Sequence, residues 1–356
     1  MKDGGQLLLR ALPLAMIALT ADARADRVDD LVNSEMGARH IMGAALAVVK
    51  DGRVVKEHAY GLANVELGVK ANIDTVFEIG SVTKQFTATL IMMLAEEGKL
   101  SLDSPLSTLL PGTPDAWAGI TLGHMLGHTS GLVNYTDLPG FEVWEGLDSP
   151  KFVAKLATHP LEFKPGDKYE YCNSGYALAG YVIERLCGKP YRQVLRERIF
   201  EPLGMAASGD RDPRQIVPGR AAGYDWVDGR LVNRSGDITE LGGAGAIAST
   251  VPDLVKWNSA VDSCRLLKPE SRETMWTSGV LNDGKPTGYG LGWRIGEHRG
   301  ERLISHSGST SGFSAAIEKF VDRNVTVIVL TNCETLNNAT EIARKVAEEF
   351  VKFKQD

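Results

Sequence analysis

The chain has 356 residues, of which 43% are apolar and 24% charged, with a formal net charge of −6. That length can bury a sizeable core in one large domain or two packed ones, and the composition is ordinary for a soluble globular protein. The sequence contains no basic run, which argues against nucleic acid and anionic membrane as partners.

Residues 1–25 read as a leader. Lys2 and Arg10 precede the apolar run Ala11–Leu19, and Ala23-Arg24-Ala25 then offers a small-residue cleavage site. The expectation is a secretory signal, a mature chain starting near Asp26, and a periplasmic or secreted location. The plainer alternative is an N-terminal helix, but the run is short and ends in A-x-A. No later stretch approaches the ~20 apolar residues that span a bilayer, so no transmembrane anchor is expected after signal removal. Cys172, Cys187, Cys264 and Cys333 allow three full pairings. A chain of this size does not need them, and small buried apolar residues are the simpler expectation.

A helix is predicted over Val28 to Met36. Two β-rich runs, Ala44–Lys50 and Arg53–His58, flank Asp51-Gly52 and read as a hairpin. Helices follow over Gln85–Glu97, Leu122–Leu126, Pro150–Thr158, Tyr176–Cys187 and Tyr191–Phe200, with Gly-, Pro- and Asp-rich loops between them. Strands return over Gly292–Ile295, Leu303–His306, Phe313–Val321 and Val325–Thr331, and an amphipathic helix over Ala339–Val351 closes the chain. Strands from both ends should form one antiparallel sheet, with the first and last helices on one face. The fold class is α/β (α+β). Residues 26–80 and 280–356 are expected to form the sheet region, and 81–279 a mainly helical insertion. A cleft between two such layers is where catalytic loops usually sit.

The chemistry begins at Ser81. The run Thr75–Lys84 is a short strand, a glycine and a helix start. Ser81 therefore lies at a helix N-terminus, where free N–H groups favour negative charge. Lys84 falls on the same helix face. A serine hydroxyl needs a base, and a lysine serves only if burial or a second cation depresses its pKa. S-x-x-K alone is weak, and an N-cap serine beside a solvated lysine would look the same. Tyr171 and Asn173 stand two apart in the turn leading into the 176–187 helix, so both can point into one cleft. Tyr171 can relay a proton, and Asn173 can donate to a substrate carbonyl and hold Lys84. The plainer alternative is a packing aromatic and an N-cap Asn. The run Leu303–Phe313 carries His306, Ser307, Gly308 and Ser309 on a small-residue strand edge that a ligand could approach closely.

Taken in order, Ser81-x-x-Lys84, Tyr171-x-Asn173 and His306-x-Gly308 resemble the three motifs of the penicillin-recognising serine hydrolases. The branch is that of class C β-lactamases, D-Ala-D-Ala carboxypeptidases, D-aminopeptidases and β-lactamase-like esterases. Gly98–Pro105, Leu126–Leu132, Phe200–Met205 and Gly242–Ser249 support it, and the likeness spans 28–353. The resemblance implies a β-lactamase/transpeptidase-like fold. Ser81 would be the nucleophile, Lys84 its base with Tyr171, and Asn173 the binder of the substrate amide. The N–H groups of Ser81 and Ser309 would form the oxyanion hole. His306 replaces a common lysine, so a titrating group is expected there, and Ser307 replaces a threonine. Both departures weaken the case for β-lactam carboxylate binding, unless Arg294 or Arg302 supplies the charge.

The implied function is hydrolysis of an amide or ester, in a small-molecule or peptidoglycan-peptide-like substrate, through an acyl-enzyme on Ser81. Short esters are expected to be favoured over β-lactams. The rival is an inactive penicillin- or peptidoglycan-binding protein. No cofactor and no metal are expected. Gly243-x-Gly245-x-x-Ala248 fits a dinucleotide fingerprint but lacks a preceding strand. His124 and His128 lack the H-E-x-x-H pattern and read as packing or loop-anchoring residues.

Overall fold

The computed structural model describes residues 27–140, 147–210, 215–234, 239–334 and 338–353. The expected leader lies outside them.

Helix α1 (27–38) leads into β1 (Gly43–Lys50), β2 (Arg53–Asn64), β3 (Val69–Lys70) and β4 (Phe77–Glu78). The middle of the chain holds α2 (Thr83–Glu96), α3 (Leu106–Leu109), α4 (Leu122–Leu126), α5 (Ser149–Leu156), α6 (Asn173–Cys187), α7 (Tyr191–Leu195) and α8 (Glu201–Leu203). Short strands β5 (Gly209–Asp210), β6 (Tyr224–Val227), β7 (Arg230–Asn233) and β8 (Ile247–Ser249) precede α9 (Val251–Asp262) and α10 (Pro269–Met275). The chain ends in β9 (Arg294–His298), β10 (Glu301–Thr310), β11 (Phe313–Phe320), β12 (Val325–Thr331) and α11 (Asn338–Glu348).

Strands from the two ends form one seven-stranded antiparallel sheet, ordered β3-β2-β1-β12-β11-β10-β9. Its centre is apolar on both faces because both faces are covered. In β1, Ala44, Leu46 and Val48 point into one core cluster with Val28 and Val32 of α1 and Ala343 and Val346 of α11. Ala45 and Ala47 point the other way, into the larger core that holds Phe86, Leu90 and Trp257. This is the two-residue period of a strand buried on both sides. The first and last helices therefore cover one face, and α2 and α9 pack on the other.

Helix α2 is buried on nearly all sides, Lys84, Gln85 and Thr87 included, as expected of a helix in the interior of a large domain. Each fully buried Leu or Ile contributes roughly 1.5–3 kcal/mol, and α2 places Leu90, Ile91 and Leu94 fully inside. Ser81 is thus mounted at the start of the most enclosed helix. A 3-10 turn over Gly80–Val82 joins β4 to α2. The helix over Tyr191–Phe200 is interrupted: its α-helical part ends at Leu195 and a wider π turn carries Arg196–Phe200. Among the described residues, no helix is long and apolar enough to cross a membrane.

Candidate active site

The turn before α2 brings the nucleophile candidate against the edge of β10. Pairing between β9 and β10 stops at Arg294 opposite Ser305, so β10 runs on past its neighbour. The freed stretch, His306–Thr310, faces the Gly80–Val82 turn. The approach is so close that a Cβ added to Gly308 would lie 2.0 Å from the Ile79 carbonyl oxygen and 2.6 Å from the Ser81 nitrogen. A Cβ on Gly80, whose φ is +49°, would lie 2.7 Å from the Ser309 nitrogen. Ser81 N and Ser309 N therefore border the same small space, the arrangement an oxyanion needs. Only glycine at 80 and 308 permits it.

Lys84 reaches back from the first turn of α2. Its Nζ lies 3.0 Å from Ser81 Oγ, 2.8 Å from Asn173 Oδ1 and 2.7 Å from the Ala244 carbonyl oxygen. The side chain is fully buried. Two of the three neighbours, a carbonyl and an amide oxygen, can only accept. They take the two N–H groups of a neutral amine and aim its lone pair at the third neighbour, the Ser81 hydroxyl. Burial holds the Lys84 pKa well below the ordinary lysine value, and the Arg294 guanidinium pushes the same way. Among the described residues no carboxylate sits beside the amine, and the opposing pull comes from Cys172. The arrangement can take a proton from Ser81.

Asn173 is fixed on both sides. Its Nδ2 donates to Thr136 Oγ1 at 3.0 Å, and its backbone N–H donates to Asn134 Oδ1 at 2.9 Å. Its amide leaves one N–H for a ligand. The Tyr171 ring centroid lies 4.9 Å from Lys84 Nζ. Burial raises the phenol above its usual value, and the neighbouring Ser81 side chain opposes this. Tyr171 is therefore a proton donor in the resting site, and Lys84 is the group equipped to accept. Ser81, Lys84, Tyr171 and Asn173 lie together at this point of the fold.

His306 differs from expectation. The ring is buried, not open to the cleft. Its Nδ1 lies 2.7 Å from the Ser307 carbonyl, which can only accept, so Nδ1 carries the proton. Nε2 then accepts from the Tyr289 hydroxyl at 2.8 Å. Burial, with Lys84 and Arg294 nearby, brings its pKa down to about 3. The expected titrating group is thus a neutral strut between Tyr289 and β10. Ser307 is half-buried, with its carbonyl engaged by that ring, while Ser309 is exposed at the cleft.

The cation of the site stands on β9. Arg294 is exposed, with its guanidinium 5.6 Å from the Tyr171 ring centroid and no ion pair to a carboxylate among the described residues. Arg302 pairs instead with Glu273 at 3.7 Å.

Sequence reasoning missed three participants. The Ala244 carbonyl has no side-chain signature; the only hint was the glycine-rich run around it. That loop is tied to α2 by Thr87 Oγ1, which donates to the Gly243 carbonyl at 2.6 Å. Gly243 packs so tightly that a Cβ would lie 2.6 Å from the Tyr176 carbonyl. Tyr289 was missed because its partner lies far away in sequence, and His128, read as a packing or loop-anchoring residue, was not placed at the site. Of the other residues weighed, His124 caps α4, its Nδ1 accepting from Thr121 N–H at 3.2 Å, and all four cysteines are free thiols.

A family model described as Beta-lactamase matches residues 28–351. The chain belongs to the beta-lactamase family. This is a family of serine hydrolases, and the chain shares that general activity. Among beta-lactamase relatives, penicillin-binding protein 4* of Bacillus subtilis (strain 168) is 28% identical over 334 residues, covering 88% of this chain and 73% of that protein. A D-aminopeptidase of Brucella ovis is 31% identical over 313 residues, covering 85% of this chain, which spans only 58% of that protein. The crystal structure of D-amino acid amidase from Ochrobactrum anthropi SV3, complexed with D-phenylalanine, superposes with a TM-score of 0.75 at 25% identity. It covers 90% of this chain and 98% of that one. These matches support the β-lactamase/transpeptidase-like fold expected from the three motifs.

Proposed function

We propose that the protein cleaves an amide or ester through an acyl-enzyme on Ser81. The observation that carries this is Lys84, its pKa lowered by burial and its amine aimed by two acceptors at the Ser81 hydroxyl. In the proposed reaction Ser81 Oγ attacks the substrate carbonyl carbon and its proton passes to Lys84 Nζ. The carbonyl oxygen gains negative charge between the N–H groups of Ser81 and Ser309. Tyr171 donates its proton to the leaving nitrogen or oxygen and is reprotonated from Lys84. Water then enters along the reverse path, giving a proton through Tyr171 and Lys84, and Ser81 leaves with its hydroxyl restored. Asn173 holds Lys84 and offers an N–H to the substrate.

For substrate, Arg294 favours an acyl donor bearing a carboxylate near the scissile bond, such as a D-Ala-terminated peptide or a penicillin. This revises the expectation built on His306, because the charge missing from β10 is supplied from β9. The relatives that act on D-amino acid amides and peptides make a D-aminoacyl amide the next candidate, followed by a short neutral ester. A periplasmic or secreted location belongs to the same proposal, supported by the leader pattern in residues 1–25.

The test is a panel of nitrocefin, a D-Ala-D-Ala peptide, a D-amino-acid amide and a p-nitrophenyl ester, run on wild type and Ser81→Ala. Turnover lost in Ser81→Ala, with a covalent acyl adduct on Ser81 by mass spectrometry, is the expected result. Tight penicillin or peptide binding with no turnover of any substrate would make the protein an inactive binder.

A further inference from the structure

His128 stands directly behind Tyr171. It is fully buried, and its φ of 59° lies in the left-handed region that non-glycine residues seldom adopt. Its backbone carbonyl accepts from Glu170 N–H at 2.9 Å, and its ring Nδ1 accepts from Cys172 N–H at 3.0 Å. The two bonds bracket Tyr171, one residue on each side. The imidazole centroid is 4.2 Å from that of the Tyr171 ring, with the planes 34° apart. Tyr289 and Tyr176 close around the imidazole at 4.6 and 5.2 Å.

This geometry fixes the tautomer. Nδ1 receives a proton from the backbone, so Nε2 bears the ring's own proton. Nε2 is buried and has no hydrogen-bond partner among the described residues. An unpaired buried donor is costly, so an apolar ring would fill the space at lower cost. What histidine adds is an acceptor for Cys172 N–H together with a flat face for the Tyr171 ring. Burial, with Lys84, His306 and Arg294 nearby, keeps the ring neutral, and neutrality preserves the Nδ1 lone pair.

We infer that His128 is a positioning residue: it clamps the backbone on both sides of Tyr171 and so aims the phenol at Ser81. Its effect on rate rests on Tyr171 serving as the proton relay proposed above. The clamp itself does not, and can be measured separately.

Two variants separate the parts. H128N tolerates the left-handed backbone, and its Oδ1 can take the Cys172 N–H. H128G keeps the backbone conformation but supplies neither acceptor nor ring. H128G is expected to lower kcat by about 10²-fold with KM little changed, since small misplacements of a reacting group have effects of that size. H128N should recover most of that loss. In the Y171F background, H128G or H128N should cause no further loss of kcat. Nitrogen-15 spectra of the wild type should show a neutral His128 protonated at Nε2 from about pH 5 to 9. The Cys172 amide should exchange faster in H128G at the same global stability.

Losses of kcat that multiply in the double variants would overturn the positioning role. A His128 ring charged, or protonated at Nδ1, would overturn the clamp. If H128G fails to fold, the nitrogen-15 spectrum of the wild-type imidazole still decides the clamp. If wild type and Ser81→Ala turn over equally, the acyl-enzyme proposal fails, while the imidazole and Cys172 amide signals still decide whether the clamp exists.

Discussion

Gly308→Ala tests the close approach on which the site depends. The added Cβ would meet backbone on every side: the Ile79 carbonyl oxygen at 2.0 Å, the Ser81 nitrogen at 2.6 Å and the Gly80 carbonyl carbon at 3.0 Å. Real Cβ atoms almost never come nearer than 3.0 Å, so β10 and the Ser81 turn must part by about 1 Å. No flexible side chain can absorb the shift. A displacement of that size at a reacting centre costs about 10²-fold in rate, and losing one oxyanion donor costs about 10²–10³-fold. The expected result is a fall of kcat by about two orders of magnitude, with stability lowered by the roughly 1–3 kcal/mol typical of overpacking. Gly296 lies on the neighbouring β9 with open space around it, so Gly296→Ala is the matched control and should leave turnover unchanged. Ester or D-aminoacyl anilide turnover, measured beside thermal melting, reads both effects. A Gly308→Ala enzyme within about threefold of wild type, with an unchanged melting curve, would refute the reasoning, because the two backbones could not then be so close.

Removing the Lys84 amine with Lys84→Met should lower the acylation rate of Ser81 by about 10²–10⁴-fold, the usual weight of a general base, as followed by burst kinetics. In the wild type, kcat/KM should rise with pH as Lys84 loses its proton. That limb should lie well below the ordinary lysine value of 10.5, and a limb centred there would contradict the burial argument. His306 gives a stability signature. The unfolded chain takes up a proton near 6.5 and the folded chain only at about 3, so this contribution is complete above 6.5 and is lost as pH falls toward 3. The slope is about 1.4 kcal/mol per pH unit, and denaturant melts should show His306→Gln flatter than wild type across that window. Arg294→Met should raise KM for carboxylate-bearing substrates about 10- to 100-fold, the equivalent of one charge-assisted hydrogen bond, and leave neutral esters unaffected. Equal effects on both substrate classes would remove Arg294 from recognition.

Much of the frame was legible because local chemistry and tertiary demand agree there. Asp51 and Gly52 both take positive φ, as a D-G hairpin turn requires, and the strands they join pair as neighbours in the sheet. Val325–Thr331 and Leu122–Leu126 occur with the bounds their patterns suggest. Other elements left signals that went unread. Asp228-Gly229 repeats the positive-φ turn between β6 and β7. Thr250 caps α9 by accepting from Asp253 N–H, with a proline in the first turn. The two- and three-residue strands β4, β5 and β8 are too short for any periodicity to register. In the site, Ser81, Lys84, Tyr171 and Asn173 could be found because each is a side chain in a motif. The Ala244 carbonyl could not, since a main-chain acceptor looks the same in every residue.

His306 carries the sharper physical lesson about reading charge from sequence. Its residue type permits a proton switch near neutral pH, and that alone suggested weak, pH-dependent recognition. Whether a histidine titrates depends on where its two nitrogens point. Here one donates to the next residue's carbonyl and the other accepts a buried phenol's proton, so adding a charge would break the Tyr289 bond and bury a cation near Lys84 and Arg294. The same constraint helps the chemistry proposed for Ser81. A cation at 306 would add to Arg294 in lowering the Lys84 pKa, beyond the lowering that burial already supplies, and so weaken the lysine as a proton acceptor. A neutral strut at 306 leaves Arg294, among the site residues described, as the one cation available to the carboxylate-bearing substrate proposed above. Fixed charge and the strut thereby belong to different side chains, one at the rim of the cleft and one beneath it.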